Sequence, residues 1–546
     1  MTPLRIGILG AGPAGLYAAL LLKRQNPDHQ VTVIERNPAG ATFGFGVVLS
    51  DRTLENFRKA DRATFNAITA HQATWEAIQV FHRAKARAKG APVVCGGHTY
   101  SGIARQQLLT ILQRRCEALG VNLQFERELT ELSAFGDVDL LIAADGVNSL
   151  VRRTYPEAFG TTVERGNSRY IWLGVKWIPT AFTFIFHQTK HGLFQAHIYP
   201  FDKETSTCIV MCRDETWQKA GLHQLDEAGS VQFCQNLLRP YLGDVPFLAN
   251  RSLWSTFQTV KNQRWSHGPI VLLGDAAHTA HWSIGSGTKL AMEDAIALVG
   301  ALGRKRTVPQ ALAAYEQERR PIVEKLQAAA RISELACENV ESAIHLDPIP
   351  FTFQLLTRSG RLDYEELRKR DPVFIEQVDR WFRPQGVDPF DDWLRPDAED
   401  EADHWILPPA EPTVTRPALS QLRTGAATFP NRLVLKLDSL DWEDLYKAFW
   451  ATYRTRPGML LFLNLPPEAA TEQDLLAYCQ YIWADTRCPV ALRLPAEPDE
   501  PAPRLILLAP NGPQPLTMPT LPAADLNEAN TIIAGARADL CLLRFP

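Results

Sequence analysis

Strand-length apolar runs alternate with segments of helical periodicity along the N-terminal part of the chain. The predicted strands are residues 4–10, 31–34, 121–125 and 138–143, and the predicted helices are residues 14–23, two helices over 53–80, and 101–119. The run at 138–143 is almost entirely apolar, which is typical of a strand buried in a parallel sheet. The order of these elements predicts an α/β domain.

After residue 169 the pattern becomes an alternation with period two. The runs 170–177, 182–186 and 193–199 predict antiparallel strands, and all three are rich in aromatic residues. The earlier pattern then returns, with a buried strand at 270–273, a helix at 290–302, long helices over 310–345 and a helix over 363–382. An antiparallel sheet inserted between α/β segments predicts a second layer of structure.

A domain boundary is predicted near residues 383–410. Residues 383–430 are rich in proline and contain an acidic cluster between residues 397 and 403. Beyond it, strand-like runs alternate with helix candidates, which predicts a small C-terminal α/β domain. The strands are expected at 433–437, 459–465, 489–494, 504–508 and 539–543, and the helices at 441–453, 472–484 and 526–535.

Composition excludes several classes of protein. A chain of 546 residues is too long for one core, so two or three domains are expected. The formal net charge of -4 gives no reason to expect nucleic acid or an anionic membrane as a partner. Nine scattered cysteines without a C-x-x-C pair predict reduced thiols rather than disulfides or a metal site. We expect a cytoplasmic protein, because the first strand begins by residue 4 and no apolar run reaches membrane-spanning length.

The first strand ends in a glycine-rich turn that predicts a dinucleotide site. The turn is Gly10-Ala11-Gly12-Pro13-Ala14-Gly15, and the second strand ends at Glu35-Arg36, twenty residues after the last glycine. In such a fingerprint Gly10 makes the turn, Gly12 lets the backbone approach a pyrophosphate, and Gly15 lets the helix pack on the strands. Glu35 is then placed to accept hydrogen bonds from a ribose diol. The fingerprint alone does not distinguish NAD from FAD.

Three further segments carry candidate ligand contacts. Asp145-Gly146 and Asp275 follow buried strands, where open α/β sheets bind ligands. Gly285-Ser286-Gly287-Thr288-Lys289 opens a helix but lacks the spacing of a nucleotide-triphosphate loop. The loop at 42–50, which includes Val47, is either backbone passing close to a flat ligand or an ordinary apolar loop. The basic run at 82–89 is interpreted as a solvated hairpin face.

The aromatic strands suit a flat aromatic guest, although aromatic strand residues are more often core than pocket. The candidates for substrate contact are Phe186, His197, Tyr199, His281, Trp282 and Ser283. No catalytic base is identified. His281, which could polarise a phenol or aniline, and Lys289 are weak catalytic candidates, and a structural role for His281 is equally compatible with the sequence.

Three motifs in this order, GAGPAG at 10–15, ADGVNS at 144–149 and GDAAH at 274–278, resemble the p-hydroxybenzoate hydroxylase class of FAD monooxygenases. The closer resemblance is to the monooxygenase half of the salicylyl-CoA 5-hydroxylase and 2-aminobenzoyl-CoA monooxygenase/reductase family, over residues 4–382. It rests on FGFGVVLSD (43–51), AFTFIFHQTKHGLFQAHIYPFD (181–202), LLGDAAHTAHWSIGSGTKLAMEDAIAL (272–298) and LDYEELRKRDPVFIEQVDRWF (362–382).

This resemblance implies a fold and a set of cofactor contacts. The implied fold is a Rossmann-like FAD-binding domain (about 1–165 and 255–382) with an inserted antiparallel substrate sheet (about 166–254). Glycines of the first turn, Glu35 and Arg105 would hold the ADP half of FAD, Asp145 the pyrophosphate side and Asp275 the ribityl hydroxyls, with 285–289 under the flavin pyrimidine. The complete set of implied cofactor residues is Gly10, Gly12, Pro13, Ala14, Gly15, Glu35, Arg36, Val47, Arg105, Asp145, Asp275, Gly285, Gly287, Thr288 and Lys289.

The resemblance also implies chemistry: NAD(P)H reduces FAD, and O2 supplies an oxygen atom to an aromatic acyl thioester carried by CoA or a carrier protein. Many relatives carry proline after GDAAH and asparagine at the next helix start, where this chain has His281-Trp282 and Lys289. The alternatives are a hydroxylase of a free aromatic such as an indole or phenol, an NAD-dependent dehydrogenase, or a non-catalytic FAD-fold protein. The choice between NADH and NADPH and the oligomeric state stay open.

The C-terminal part departs from that family. Residues 422–434 and 530–540 resemble the opening and last strand region of an old-yellow-enzyme-like FMN barrel. A (β/α)8 barrel needs roughly 250 residues, more than the chain has after residue 410. The sequence therefore predicts a linker at 383–412 and a truncated, FMN-free barrel-like domain at 413–546, structural or partner-binding, without reductase activity.

Overall fold

The computed structural model describes residues 2–83, 91–344, 346–359, 361–362 and 364–382, together with short strands between residues 404 and 544. The chain divides into two compact units, residues 1–348 with 358–361, and residues 349–357 with 362–546. Most of the basic run at 82–89, interpreted as a hairpin face, lies outside the described residues, because only residues 82 and 83 are described. The C-terminal helix candidates and most of the linker lie outside them too.

The elements up to residue 272 form three sheets and their covering helices. They are β1 (Arg5–Leu9), α1 (Pro13–Gln25), β2 (Gln30–Ile34), β3 (Gly46–Leu49), α2 (Asp51–Ala60), α3 (Arg62–Thr69), β4 (Ala73–Trp75), β5 (Ile78–Arg83), β6 (Val93–Cys95), β7 (Tyr100–Ala104), α4 (Arg105–Ala118), β8 (Asn122–Gln124), β9 (Leu140–Ala143), α5 (Leu150–Thr154), α6 (Pro156–Phe159), β10 (Thr161–Val175), β11 (Phe182–Thr189), β12 (Gly192–Pro200), β13 (Ser206–Arg213), α7 (Asp214–Lys219), α8 (Glu227–Leu242), β14 (Phe247–Leu248), β15 (Ser255–Asn262), β16 (Ser266–His267) and β17 (Ile270–Leu272).

Helices follow, and then the C-terminal strands. They are α9 (Gly287–Arg304), α10 (Val308–Glu338), α11 (Pro348–Thr357), α12 (Tyr364–Arg370), α13 (Pro372–Phe382), β18 (His404–Ile406), β19 (Ala427–Phe429), β20 (Arg432–Lys436), β21 (Leu460–Asn464), β22 (Val490–Leu494), β23 (Arg504–Leu508), β24 (Leu516–Met518), β25 (Leu521–Pro522) and β26 (Cys541–Arg544).

The first sheet has the order β16-β17-β9-β1-β2-β8, and its ladders are parallel except that between β16 and β17. Its central strands are apolar because helices, among them α1 and α9, cover them, and Ile8, Ile142 and Val271 are completely buried. This confirms the predicted Rossmann-like α/β class.

The second sheet has the order β14-β10-β13-β12-β11-β5-β6, with β15 also paired to β10. Its long ladders are antiparallel, apart from the parallel pair of β11 with β5. One face packs on the apolar side of α8 through residues such as Ile171, Val210 and Leu238. The opposite face carries a cluster of aromatic residues that includes Phe182, Phe184 and Tyr199. The predicted insertion of an antiparallel sheet is confirmed.

Two helix predictions in the N-terminal part are wrong at their ends. Residues 73–75 and 78–83 are strands β4 and β5, because β5 pairs with β11 and β4 pairs with β7. Residues 101–104 belong to β7, which lies between β3 and β4, so the helix predicted from residue 101 begins at Arg105. In both places pairing with a distant strand outweighs the local helical pattern.

The helix predicted over 363–382 is two helices. Pro372 cannot continue α12, because it has no backbone N–H, and it opens α13 instead. Asp371 caps the new helix by accepting a hydrogen bond from the Phe374 backbone N–H at 2.9 Å. A single helix, α10, spans most of the region predicted as several long helices.

The C-terminal strands form two sheets, β19-β20-β21-β22-β23-β24 and β18-β26-β25. The predicted strands correspond to β20, β21, β22, β23 and β26. β20, β21 and β22 are parallel neighbours, whereas β22, β23 and β24 pair antiparallel, so the larger sheet is mixed.

Two kinds of feature are absent from the described residues. No helix there is both long and apolar enough to cross a membrane. In the same residues no group of His, Cys, Asp or Glu side chains has the arrangement of a metal site.

A buried charge cluster fastens α9 and α10 to the first sheet. Asp294 of α9 accepts hydrogen bonds from His278 Nε2 at 2.7 Å and from Arg319 Nε of α10 at 2.8 Å. All three side chains are nearly inaccessible to solvent. Burial by itself raises the pKa of Asp294, but His278 and Arg319 outweigh it and lower that pKa below its ordinary value.

We predict that Asp294→Asn lowers the stability of the chain by about 3–5 kcal/mol, because it leaves the buried Arg319 without its main counter-charge. Glu318→Gln is the matched control: it breaks the exposed pair with Arg304 and costs about 0–1 kcal/mol. Urea and thermal denaturation of the full chain measure both, and equal losses in the two variants would contradict the assignment.

Candidate functional site

Three turns meet at one edge of the first sheet. β1, β9 and β17 are adjacent, and Leu9, Ala143 and Leu272 are in register across the two ladders. The turns at 10–15, 144–149 and 273–278 therefore leave the sheet at the same level. A Cβ atom on Gly10, whose φ is +101°, would lie 2.4 Å from the Ala144 carbonyl oxygen, so the first two turns touch through their backbones.

A buried arginine joins the second and third turns. Arg152 of α5 donates hydrogen bonds to the carbonyl oxygens of Asp275 at 3.2 Å and Ala276 at 2.8 Å. Its other terminal nitrogen donates to the Val147 carbonyl oxygen. The two acidic turns are thus held together by one side chain that the sequence analysis did not single out.

The charged groups at this edge are incompletely paired. One carboxylate oxygen of Asp145 accepts from the Leu150 N–H at 2.6 Å, while the buried Oδ1 has no hydrogen-bond partner within the described part of the chain. Burial raises the pKa of Asp145. Asp275 is exposed although Gly274 and Ala276 beside it are buried, which places its carboxylate in an open crevice. Arg105 acts electrostatically on Asp275, but no ion pair joins the two among the described residues.

The glycine turn leaves room for a ligand. A Cβ atom on Gly12 would meet nothing within 4 Å, whereas one on Gly15 would lie 2.0 Å from the Gly10 carbonyl oxygen. Pro13 and Ala14 are in the buried first turn of α1, which begins at Pro13. The Glu35 carboxylate accepts a hydrogen bond from the Ala11 N–H at 2.9 Å, while Arg36 is exposed and faces Glu128.

The start of α9 forms another wall of the crevice. Gly285 has a φ of +62° and a Cβ atom there would lie 3.8 Å from Val48, and Gly287 has open space around it. Thr288 and Lys289 are partly buried in the first turn of the helix, and burial lowers the pKa of Lys289. Val47 is buried in β3, next to this segment.

These residues fit FAD. The backbone is open at Gly12 and Gly287. Within the described part of the chain, one Asp145 oxygen has no hydrogen-bond partner and no ion pair holds Asp275 or Arg105. Together these groups suit a long ligand with phosphates and hydroxyls, and we call them the FAD cradle. Helix N-termini at Pro13 and Gly287 direct N–H groups and positive dipole ends to it.

On the face of the second sheet that lies opposite α8, side chains form rows across the strands. One row consists of Trp172, Ile209, His197 and Phe184, which are direct cross-strand partners and share a face. Trp282 packs over this row, with its ring 5.0 Å from His197 and 6.3 Å from Trp172. The structure thus brings together two of the sequence candidates, His197 and Trp282, in one aromatic wall.

Neighbouring rows are fixed by hydrogen bonds. Tyr199 stacks on Phe182 at 5.4 Å and donates its hydroxyl to the Gly46 carbonyl oxygen at 3.0 Å, so it anchors β3 to the sheet. Phe186 is fully buried beside Phe184. Gln195, in register with Phe186, donates to the Cys337 carbonyl oxygen of α10 at 2.7 Å.

His281 and Ser283 belong to a short polar chain. His281 Nδ1 is 2.8 Å from Ser283 Oγ, which donates to Ser333 Oγ at 2.9 Å. Arg358 donates through Nε to Ser333 Oγ at 3.0 Å and through Nη2 to the Ser283 carbonyl oxygen at 3.2 Å. Burial, Arg358 and Arg331 lower the pKa of His281 to about 3, so the imidazole is neutral at neutral pH.

Arg358, Ser333 and Trp172 were not among the candidates from the sequence. Arg358 lies 75 residues after Ser283, and only the folded chain places its guanidinium beside Ser283 and 5.6 Å over the ring of Phe184. Trp172 stood in a predicted aromatic strand, and the period-two alternation could have placed it on the same face as Tyr170 and Gly174.

We predict that Gly12→Ala keeps the fold but loses FAD, because the new methyl group occupies the space in which the pyrophosphate approaches the backbone. Gly15→Ala is the contrasting variant: its methyl group collides with the Gly10 carbonyl oxygen, so the fold is destabilised as well. Flavin absorbance per chain and the thermal midpoint separate the two effects. A Gly12→Ala protein with a full complement of flavin would contradict the assigned cradle.

We also predict that stability falls as the pH is lowered from about 6.5 towards about 3. In that range the unfolded chain binds a proton at His281 that the folded chain does not, which costs up to about 1.4 kcal/mol per pH unit. His281→Gln should flatten the dependence of the urea midpoint on pH, and His223→Gln, at an exposed position, should leave it unchanged.

Comparisons with known proteins agree with this geometry. A family model described as an FAD binding domain matches residues 4–330. The chain is 39% identical over 390 residues to salicyloyl-CoA 5-hydroxylase of a Streptomyces species, which covers 69% of this chain and 74% of that protein. It is 37% identical over 367 residues to the 3-hydroxy-4-methyl-anthranilyl-(aryl-carrier protein) 5-monooxygenase of Streptosporangium sibiricum, covering 67% and 97%.

A solved structure shows the same fold. The tetrameric form of 2-methyl-3-hydroxypyridine-5-carboxylic acid oxygenase superposes with a TM-score of 0.52 at 21% identity, and covers 67% of this chain and 98% of that one. The chain therefore belongs to the FAD-binding domain family of aromatic hydroxylases, and it is a flavin-dependent monooxygenase.

Proposed function

We propose that the chain hydroxylates or epoxidises the ring of an aromatic acyl thioester, of the salicylyl or anthraniloyl type, bound to CoA or to a carrier protein. The observation that carries the proposal is the aromatic wall formed by Trp172, His197, Phe184 and Trp282. Two relatives at 39% and 37% identity, which are named for an aryl-CoA and an aryl-carrier-protein substrate, support the thioester.

FAD, reduced by NADH or NADPH, supplies the activation of O2 when it is bound. In the proposed site Gly10, Gly12, Gly15, Glu35 and Arg105 hold its ADP half. Asp145 would contact the pyrophosphate side of the cofactor, Asp275 its ribityl hydroxyls, and the segment 285–289 its flavin end. Unpartnered groups in these positions gain hydrogen bonds from the cofactor, which favours its tight retention.

The protein contributes placement and electrostatics rather than a strong acid or base. The N-terminus of α9, with Lys289 in its first turn, stabilises negative charge at the adjoining end of the cofactor. The aromatic rings of the wall exclude water and fix the orientation of the substrate ring. We assign no catalytic base.

His281 acts in this proposal as a hydrogen-bonding group and not as a base. With a pKa of about 3 it is a weak proton acceptor at neutral pH. Its Nδ1 is engaged by Ser283, so Nε2 is the nitrogen left for a further hydrogen bond.

A free aromatic substrate is the second candidate. The chain is 30% identical over 351 residues to protodeoxyviolaceinate monooxygenase of Chromobacterium violaceum, whose name includes neither CoA nor a carrier protein. The higher identity to the two thioester enzymes favours the thioester.

We further propose the division of the chain into a monooxygenase at 1–382, a linker at 383–412 and an FMN-free C-terminal domain at 413–546. The absence from that last segment of histidine, which the related FMN barrel uses as a pair, supports the loss of reductase activity. We also infer a cytoplasmic location, supported by free cysteines such as Cys208, Cys234 and Cys337.

We predict that the purified holoenzyme is yellow and that salicylyl- or anthraniloyl-thioesters stimulate its oxidation of NAD(P)H at least tenfold more than the free acids do. The pantetheine thioester is the simplest substrate for this assay. Hydrogen peroxide is measured in parallel, because it distinguishes NAD(P)H oxidation that is coupled to hydroxylation from uncoupled oxidation. Equal or greater stimulation by free acids would transfer the assignment to the second candidate.

A further inference from the structure

Three ring nitrogens in the aromatic wall have no hydrogen-bond partner among the residues that the structure describes. They are Nε1 of Trp172, Nε1 of Trp282 and Nε2 of His197, and all three atoms are shielded from water. Most buried polar groups in folded proteins are paired, because an unpaired one loses its hydration without compensation. Three such nitrogens on rings that are linked through Trp282 therefore require an explanation.

The positions of the three rings are set by the sheet and by one loop. Trp172 and His197 flank Ile209 in the same cross-strand row, so they stand two strand spacings, about 10 Å, apart. Trp282 comes from the segment after the third turn of the FAD cradle and contacts both rings. The nitrogens thus belong to two opposing surfaces, the sheet and the loop.

The chemistry of the three groups is complementary. An indole N–H can only donate, so Trp172 and Trp282 need an acceptor such as a carbonyl oxygen. His197 is kept neutral, since burial, and then Arg358 and His281, lower its pKa well below the ordinary value. A neutral imidazole offers one donor and one acceptor, and it can bond to a hydroxyl or to an amine.

We propose that Trp172, Trp282 and His197 select aromatic substrates that carry a carbonyl group with an adjacent ring hydroxyl or amine. The two indole N–H groups meet the carbonyl oxygen, and His197 meets the ortho substituent. To reach these shielded atoms the substrate displaces the Trp282 ring from the sheet, because that ring contacts both His197 and Trp172. This inference rests on the proposed function and adds the three residues that recognise the carbonyl group and its ortho substituent.

A physical consequence is discrimination against analogues without the ortho group. A site built to hydrogen-bond a substrate hydroxyl rejects a substrate that lacks it, because the buried partner is then left unpaired. The wild-type holoenzyme should bind salicylyl-pantetheine at least about a hundredfold more tightly than benzoyl-pantetheine. A purely apolar pocket would bind the two with similar affinity.

The test uses substitutions that keep the rings and remove the donors. Trp172→Phe and Trp282→Phe should each weaken binding of salicylyl-pantetheine about tenfold to a hundredfold, with flavin content unchanged. His197→Phe should reduce the preference for salicylyl- over benzoyl-pantetheine. Binding is followed by the perturbation of the flavin spectrum of the holoenzyme.

Trp254→Phe is the matched control. Its indole nitrogen is also buried and unpartnered, but Trp254 packs with the core on the opposite face of the sheet. It should bind both thioesters as the wild type does. Thermal midpoints of all four variants identify any loss of binding that comes from a loss of fold.

The outcomes separate the two proposals. Suppose that the wild type binds salicylate but no thioester, and that Trp172→Phe and Trp282→Phe weaken that binding. The proposed function then fails, and the proposed recognition by Trp172, Trp282 and His197 stands. That recognition is overturned if the folded, flavin-loaded variants bind salicylyl-pantetheine as tightly as the wild type, or if the wild type does not distinguish it from benzoyl-pantetheine.

Discussion

The structure depends on the register of three parallel strands. Leu9, Ala143 and Leu272 lie side by side, so three turns that are far apart in the chain begin at one level of the sheet. A shift of one residue in either ladder would move a turn by about 3.3 Å and reverse the faces of its side chains. The close approach of Gly10 to Ala144 and the hydrogen bonds of Arg152 hold this arrangement.

Buried charges extend this constraint to the helices. Asp294 joins His278 of the third turn to Arg319 of α10, so the turn that carries Asp275 is fastened from behind. A buried ion pair contributes little net stability, but breaking it leaves an uncompensated charge, which penalises other arrangements of these elements. The hydrogen bonds that run from Arg358 to His281 likewise hold the segment that carries Trp282 in place.

The two faces of the second sheet have different roles. Its period-two alternation sends apolar residues such as Val210 to the core under α8 and aromatic residues such as Phe184 to the other face. The first face stabilises the sheet. The second presents rings and ring nitrogens of the kind that a flat, oxygen-bearing substrate needs, beside a cradle that fits FAD.

The sequence by itself determined the parallel sheet, the inserted antiparallel sheet and the three turns, because glycine turns, apolar runs and alternation are local patterns with local causes. It could not place residues 73–83 or 101–104 in strands, since pairing with β11 and β3 decides their conformation. Nor could it find Arg358, Ser333 or Trp172, whose roles depend on neighbours distant in the chain. Only tertiary structure brings those side chains together, because hydrogen bonds and ring contacts depend on separation in space and not along the chain.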